Sequence, residues 1–223
     1  MKSESIKEIT RALGADVCGI ATIDRFTNAP VGFHPTDILP DTKSVVVFGK
    51  QSSKTLFEIN TNVPYTFVRN KTLEMLDDIA IALSSKMEAE GYSVIPIPSV
   101  EPYEYWDIER RHGRGILSLK HAAQLAGLGW IGKNTLFINE TYGNRLWLGA
   151  ILISAEIEAD SLSHQKGCSS HCSICLDACP QQALDGTTIN QRLCREKSFS
   201  STEGGGWVIV CNTCRKVCPF AKV

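Results

Sequence analysis

The residues of this chain best suited to chemistry are its cysteines, because eight of the nine follow residue 167. They form two groups that each end in Cys-Pro, C-x3-C-x2-C-x3-C-P and C-x2-C-x3-C-P, with one cysteine between the groups. The eight residues are Cys168, Cys172, Cys175, Cys179, Cys194, Cys211, Cys214 and Cys218. In a reducing compartment, cysteines at this density indicate metal binding rather than disulfides.

Both groups resemble the pattern of bacterial two-cluster proteins, in which three close cysteines hold one 4Fe-4S cluster and the cysteine before proline holds the other. There are two departures: the first gap is x3 rather than x2, and the leading cysteine of the second group, Cys194, lies seventeen positions before Cys211. We therefore predict two complete ligand sets of four thiolates each. The first set is Cys168, Cys172, Cys175 and Cys218, and the second set is Cys179, Cys194, Cys211 and Cys214. Two adjacent clusters move single electrons, so the sequence predicts an iron–sulfur oxidoreductase that performs electron transfer.

Two other metal chemistries stay open for these cysteines. Four-cysteine sites commonly bind zinc, although zinc sites more often use paired C-x2-C knuckles without a Cys-Pro after each group. Cys168, Cys172 and Cys175 also match the C-x3-C-x2-C of radical enzymes that use a sulfonium cofactor, but a fourth ligand is available here. The ninth cysteine, Cys18, lies in an apolar run and is interpreted as an inert core thiol.

The elements before the cysteines alternate between helix and strand. An amphipathic helix opens the chain, VCGIATI (17–23) and SVVVFGK (44–50) are typical of buried strands, a long helix is predicted over 69–90, and YSVIPIPS reads as a strand. This order predicts an α/β fold in which helices cover a sheet. We expect two domains, an α/β domain at 1–160 and a ferredoxin-like module at 161–223 whose low apolar content requires metal for folding.

Composition excludes several classes of protein. No run of 18 apolar residues is present, and the amphipathic start is not a secretory signal, so we expect no membrane span and a cytoplasmic location. Residues 1–160 carry 16 Lys and Arg against 20 Asp and Glu, and residues 161–223 carry 7 against 4. Neither half is strongly basic, so nucleic acid is not favoured as a partner.

The stretch GLGWIGKNT (127–135) fits a dinucleotide-binding pattern and nearly fits a phosphate-binding loop. Both motifs need a strand before the glycines and a helix after them. Here SLKHAAQLA predicts a helix before the glycines, with Gly127 at its C-terminal cap, and the residues that follow predict strands around a turn at 142–144. The order of elements is therefore reversed, and we reject both nucleotide interpretations.

The segments HAAQLAGLGWIGKNTLFINETYGNRLWLGAIL, CSICLDACPQQAL and CNTCRKVCPF resemble epoxyqueuosine reductase and its shorter relatives. That resemblance implies a cobalamin-binding α/β domain joined to two 4Fe-4S clusters that reduce the cobalt. By position it implies a corrinoid-side loop, with a histidine on the helix that leads into it. The residues concerned are His121, Gly127, Gly129, Trp130, Ile131, Gly132, Lys133, Asn134 and Thr135.

The chain departs from the family pattern at the presumed proton donor, since no carboxylate stands where the family has its aspartate. His112 is the nearest group that could donate a proton near neutral pH, and we take it as the candidate catalytic residue. The surrounding run RRHGR (110–114) is either a phosphate-binding segment or a solvated loop. The family's helical repeats for tRNA are not found before Val223, so a tRNA substrate is not expected.

Together these features predict a path from an external low-potential electron donor through the two clusters to a corrinoid. The corrinoid would reduce a small-molecule substrate, or its reduction would activate a partner corrinoid protein. The alternative is an electron carrier that docks on a partner enzyme and binds no corrinoid.

Overall fold

A computed structural model describes residues 2–164 and 167–221. The helices are α1 (Ser3–Ala12), α2 (Pro35–Ile38), α3 (Val63–Ala89), α4 (Leu119–Leu125), α5 (Ile174–Asp177), α6 (Gln191–Ser198) and α7 (Thr213–Lys216). The strands are β1 (Val17–Thr22), β2 (Ser44–Gln51), β3 (Val94–Ile97), β4 (Tyr105–Asp107), β5 (His112–Arg114), β6 (Trp130–Ile131), β7 (Phe137–Ile138), β8 (Leu146–Ile153), β9 (Phe199–Ser201) and β10 (Trp207–Ile209).

Four strands form the central sheet in the order β1-β2-β8-β3, and every neighbouring pair is antiparallel. The two inner strands, β2 and β8, are apolar along almost their whole length because both faces of the sheet are covered. Their register pairs Val46 with Ile151 and Phe48 with Gly149. The predicted α/β architecture is confirmed.

Helices cover the two faces of the sheet. On one face, α1 and α3 pack their apolar stripes on Ile20, Val46 and Ile151, and Leu76, Leu83 and Met87 of α3 are fully buried there. On the other face, the small residues of α4, Ala122 and Ala123, pack on Val45, Val47 and Leu152. Alternating residues of one strand thus point into two separate cores.

Most predicted elements are confirmed. The long helix is α3, but it begins at Val63 rather than at residue 69, because Pro64 is tolerated in a first helical turn. The helix before the glycines is α4, Gly127 follows its C-terminal cap with φ +75°, and strand β6 follows. Strands β9 and β10 pair as a hairpin, and residues 202–206 form the turn between them.

The cysteine-rich segment, residues 167–221, contains only short elements. Its buried residues are Cys175, Ala183, Ser198, Arg215, Cys218 and Ala221. Before it, Asp160 fixes the end of the sheet region: its carboxylate pairs with Lys7 and accepts from Ile20 N, and its carbonyl oxygen accepts from Arg25 at 2.8 Å. Across the described residues, no helix is long and apolar enough to cross a membrane.

Candidate functional site

The second predicted ligand set lies around one cavity. Cys179, Cys194, Cys211 and Cys214 all line it, together with Pro180, Gln181, Ala183, Leu184, Ile189, Lys197 and Ser198. These four cysteines come from the end of the first group, from α6 and from the start of the second group, so only the fold brings them together. The donor set of four thiols is the one that a 4Fe-4S cluster requires.

Hydrogen-bonding groups lie beside the sulfurs of this second set. The backbone N–H of Ala183 donates to Cys179 Sγ at 3.3 Å, and Ser198 Oγ lies 3.3 Å from Cys194 Sγ. Thr213 Oγ1 is 3.6 Å from Cys211 Sγ. Such contacts to cysteine sulfur are one means by which a protein sets the reduction potential of a cluster.

The first predicted ligand set lies against the sheet region. Cys218 is buried with Trp130 and Ile138, and Cys168 packs against the same group. Burial raises the pKa of the Cys175 thiol, and the neighbouring thiols of Cys218, Cys168 and Cys172 raise it further. The structure therefore brings the four cysteines of this set near one another as well.

Zinc remains the alternative metal for these cysteines. Across residues 2–164 and 167–221, no group of three or more His, Cys, Asp and Glu side chains could hold one metal ion. Four sulfurs around one zinc ion would lie about 3.8 Å apart, given Zn–S bonds of about 2.3 Å. The cysteine sulfurs that bind the four irons of a 4Fe-4S cluster lie farther apart than those around one zinc ion.

Burial keeps several of these thiols protonated when no metal is bound. It raises the pKa of Cys214 to about 11, and Arg215 acts in the opposite direction. It also raises the pKa of Cys218, against the opposing hydrogen bonds from the Phe220 N–H and the Asn144 side chain. Because a metal binds thiolate, metal loading at these positions must release protons.

The glycine loop, residues 127–135, contacts the cysteine-rich segment directly. Lys133 donates from Nζ to the carbonyl oxygens of Ser170 and Cys172, each at 2.8 Å. Asn134 donates from Nδ2 to the carbonyl oxygen of Cys214 at 3.1 Å. Two adjacent side chains of the loop thus hold backbone from both cysteine groups.

Two glycines of this loop are required by the chain's own backbone. Gly127 has φ +75°, and a Cβ there would lie 2.1 Å from the carbonyl oxygen of Ser161. Gly129 has φ +152°, and its Cβ would lie 2.0 Å from the carbonyl oxygen of Ile138. Both positions combine a left-handed conformation with a close approach, and either is sufficient reason for glycine.

The remaining predicted corrinoid-side residues differ in exposure. Trp130, Asn134 and Thr135 are buried, and Ile131 is half-buried. A Cβ added at Gly132 would lie 3.5 Å from Cys168 Sγ. His121 is exposed on α4, where Ser118 Oγ lies 2.7 Å from its Nδ1. Partial burial, and then the charge of Lys120, lower the pKa of His121. These residues do not share one open face.

Trp130 also lines an open cleft of about 550 Å³ with Glu140, His164 and Phe220. The Phe220 ring meets the indole edge to face at 5.3 Å between centroids. The indole Nε1 is buried and has no hydrogen-bond partner among the residues that the structure describes.

His112, the predicted proton donor, lies on β5 of a small hairpin and faces Asp107 of β4 in the register. This hairpin reaches the second cysteine set through α6. Gln191 accepts from Gly113 N and donates to Gly113 O, both at 3.1 Å. The RRHGR run does not converge on one ligand, because Arg114 lies over the rings of Phe33 and Tyr105 and Arg110 is exposed.

Sequence reasoning missed several residues that shape this region. Asn144 donates from Nδ2 to the carbonyl oxygen of Arg215 at 3.0 Å, and the Arg215 guanidinium donates back to the Asn144 carbonyl. Lys120, whose pKa is lowered by burial, donates to Thr135 O at 2.6 Å and supports the glycine loop. Arg215 adjoins Cys214 in the sequence, which is a signal that could have drawn attention to it.

No family model matches the chain. An epoxyqueuosine reductase of Staphylococcus aureus is 32% identical over 167 residues, which cover 70% of this chain and 38% of the relative. The chain spans less than half of the length of the first curated relatives that it matches.

Solved structures share the fold. An epoxyqueuosine reductase from Streptococcus thermophilus superposes with a TM-score of 0.65 at 22% identity, covering 99% of this chain and 66% of that one. A reductive dehalogenase described as acting by B12-dependent dehalogenation gives a TM-score of 0.66 at 17% identity, covering 97% of this chain and 31% of that one.

Proposed function

We infer that the chain belongs to the epoxyqueuosine reductase-like proteins, and we propose that it is an iron–sulfur oxidoreductase. Its eight C-terminal cysteines hold two 4Fe-4S clusters in the two sets described above. Electrons from an external low-potential donor pass through the clusters to an acceptor bound against the α/β region. The acceptor proposed first is a corrinoid, and the final substrate is a small molecule.

The observation that carries this proposal is the grouping of the cysteines. Residues as far apart in the chain as Cys179 and Cys214 line one cavity, and Cys168 and Cys218 of the first set pack with Trp130 and Ile138. The grouping follows the rule in which the cysteine before proline crosses to the other set. A pair of clusters in this arrangement forms a relay for single electrons, which supports a redox function.

The side chains of the α/β region have a supporting role in this relay. Lys133, Asn134 and Asn144 hold the backbone of both cysteine groups, so they fix the position of each set relative to the sheet. The ammonium group of Lys133 also places a positive charge beside the loop of Cys172. A positive charge near a cluster favours its reduced form.

A corrinoid, when bound, would supply a cobalt centre that accepts electrons and acts on a substrate. The glycine loop does not fit the role of its binding face, because its buried residues and close backbone contacts are used by the protein itself. We therefore assign no step to a corrinoid at residues 127–135. His112 remains the proposed proton donor, because its hairpin is joined to α6 and so to Cys194.

The second candidate function is an electron carrier that docks on a partner enzyme and binds no corrinoid. The burial of the glycine loop favours this candidate, because the residues first expected to hold the corrinoid are occupied by contacts within the chain. In that case the α/β region serves as a recognition surface. A binding assay with a tRNA stem loop would detect a tRNA substrate, and we expect no binding.

Anaerobic purification tests the proposal in two stages. We expect a brown protein with broad absorption near 400 nm that is bleached by dithionite, with about eight iron per chain. Zinc in place of iron would contradict the redox function. Addition of cobalamin to the iron-loaded protein then separates the two candidates: new corrinoid bands that shift on reduction support the reductase, and an unchanged spectrum supports the carrier.

A further inference from the structure

Aromatic rings and two arginines form a continuous row beside α6. The Arg195 guanidinium lies 5.0 Å from the ring centroid of Trp106, 5.9 Å from that of Tyr103 and 5.8 Å from that of Phe199. The row continues from Phe199 to Trp207, 5.4 Å between centroids, and from Trp207 to the Arg69 guanidinium at 5.8 Å. These six residues are called the arginine–aromatic row: Arg69, Tyr103, Trp106, Arg195, Phe199 and Trp207.

Four separate parts of the chain build this row, and Arg69 comes from α3. Trp106 comes from β4, Arg195 from α6, and Trp207 from β10, which is held on α3 by a hydrogen bond from Ile209 N to Thr66 Oγ1 at 2.9 Å. Phe199, Trp207 and Trp106 are each more than a third exposed. An aromatic surface of this kind, open to solvent, is unusual unless it binds something.

The positive charges of the row are not balanced by carboxylates. Across the described residues, neither Arg69 nor Arg195 forms an ion pair. Glu196, next to Arg195, pairs with Arg192 instead, and Glu101 acts on Arg69 only through its longer-range field. Arg69 spends one donor on Asn70, and Arg195 makes only long contacts of 3.4 Å to Gln191. Most guanidinium donors of the row are left for a ligand.

Burial of Arg69 lowers its pKa, and the positive charge of Arg195 acts in the same direction. An anion bound along the row would lower this repulsion. The repulsion between the two arginines, like the lack of carboxylates paired with them, favours an anionic ligand.

We propose that the arginine–aromatic row is a binding site for a planar anionic ligand, with its phosphate or carboxylate on the Arg195 guanidinium and its flat body against the rings between Arg195 and Arg69. Arginine presents a planar fork of donors that matches phosphate and carboxylate oxygens. Rings stack on a flat ligand and exclude water from its faces. Binding of such a ligand does not depend on the proposed function. If that function holds, the ligand is the substrate or the tail of the cofactor, because Arg195 adjoins Cys194 of the second set.

Quenching of Trp106 and Trp207 fluorescence provides the test, with phenyl phosphate as the probe and phenol as its uncharged counterpart. We expect saturable quenching by phenyl phosphate, at least tenfold weaker binding of phenol, and a tenfold to hundredfold loss of phenyl phosphate affinity in Arg195→Gln. Arg69→Gln, at the far end of the row, should give a smaller loss, which guards against misfolding of one variant. Arg192→Gln, on the exposed side of the same helix, is the matched control and should bind normally.

Equal binding of phenol and phenyl phosphate, or unchanged affinity in both arginine variants, would overturn the site. Two sources of the anion are separated by cobalamin and cobinamide, which lacks the nucleotide phosphate. Tighter binding of cobalamin in the wild type, lost in Arg195→Gln, identifies the phosphate of a corrinoid tail. If cobalamin and cobinamide bind equally well while phenyl phosphate still binds, the anion belongs to a substrate. Iron content and dithionite bleaching, measured on the same samples, report separately on the proposed function.

Discussion

The sheet region and the cysteine-rich segment are held together in different ways. The sheet region has two apolar cores, one on each face of β2 and β8, with side chains such as Leu83, Ile151 and Leu152 fully buried. In residues 167–221, two of the six buried residues are cysteines and two more, Ser198 and Arg215, are polar. Each large apolar side chain contributes about 1.5–3 kcal/mol when buried, a term that the segment largely lacks.

This contrast indicates that the two regions depend on different partners. We expect the sheet region to fold on its own apolar surface, and the segment to rely on metal binding and on contacts that the sheet region supplies. Lys133, Asn134 and Asn144 provide those contacts, and all three hold backbone rather than side chains. Four experiments test how separate the two forms of stabilisation are.

Loss of one cysteine ligand should have the largest effect. Cys214→Ser is expected to reduce iron from about eight to about four per chain, because its set loses one of four thiolates. Amides of residues 194–214 should then exchange faster with deuterium, while those of β2 and β8 keep their protection. Cys18→Ser is the matched control with full iron content, and equal iron loss in both variants would refute the assignment of ligands.

A cavity in the sheet region should lower the stability of the fold without loss of iron, the opposite of what loss of a cysteine ligand does. Leu83→Ala removes a fully buried side chain of α3 and should lower the free energy of unfolding by about 2–5 kcal/mol. Iron per folded chain should not change. Ile81→Ala, more than half exposed on the same helix, should alter stability far less. If Leu83→Ala also released iron from the folded protein, the two regions could not be treated as separately stabilised.

Removal of a contact between the regions should have an intermediate effect. Asn134 is 2% exposed, and Asn134→Ala would leave the Cys214 carbonyl without this donor. A buried hydrogen bond lost in this way costs about 1–3 kcal/mol. We expect faster loss of iron to a chelator, measured by the fall in absorption near 400 nm. Asn60→Ala, at an exposed position, is the control, and identical rates would remove the stabilising role of Asn134.

The smallest effect is expected at Cys18. Burial raises the pKa of its thiol to about 11, so only about 0.1% is thiolate at pH 8, far less than for a free cysteine. In the iron-loaded protein, iodoacetamide should leave Cys18 unmodified, as judged by mass spectrometry. The reaction should accelerate as the pH rises toward 11. Rapid labelling at pH 8 would show that this part of the core opens readily.

Several features could be predicted from the sequence because they depend on local patterns. The apolar run of β2, the helical spacing of α3 and the glycine after α4 each specify their element directly. The hairpin of β9 and β10 was missed, because the glycine-rich residues between them resemble a loop and the pairing becomes visible only with the partner strand. The start of α3 was misplaced for a similar reason, since Pro64 is compatible with a first turn as well as with a loop.

The sequence by itself determined which atoms are available for metal binding and in what order, because cysteine spacing and the following prolines are fixed by the covalent chain. Tertiary structure alone decided that the glycine loop faces the cysteine-rich segment and that Arg69 and Arg195 lie on one aromatic surface. Those contacts join residues up to 140 positions apart, and long-range packing of this kind leaves no periodic signal in either partner.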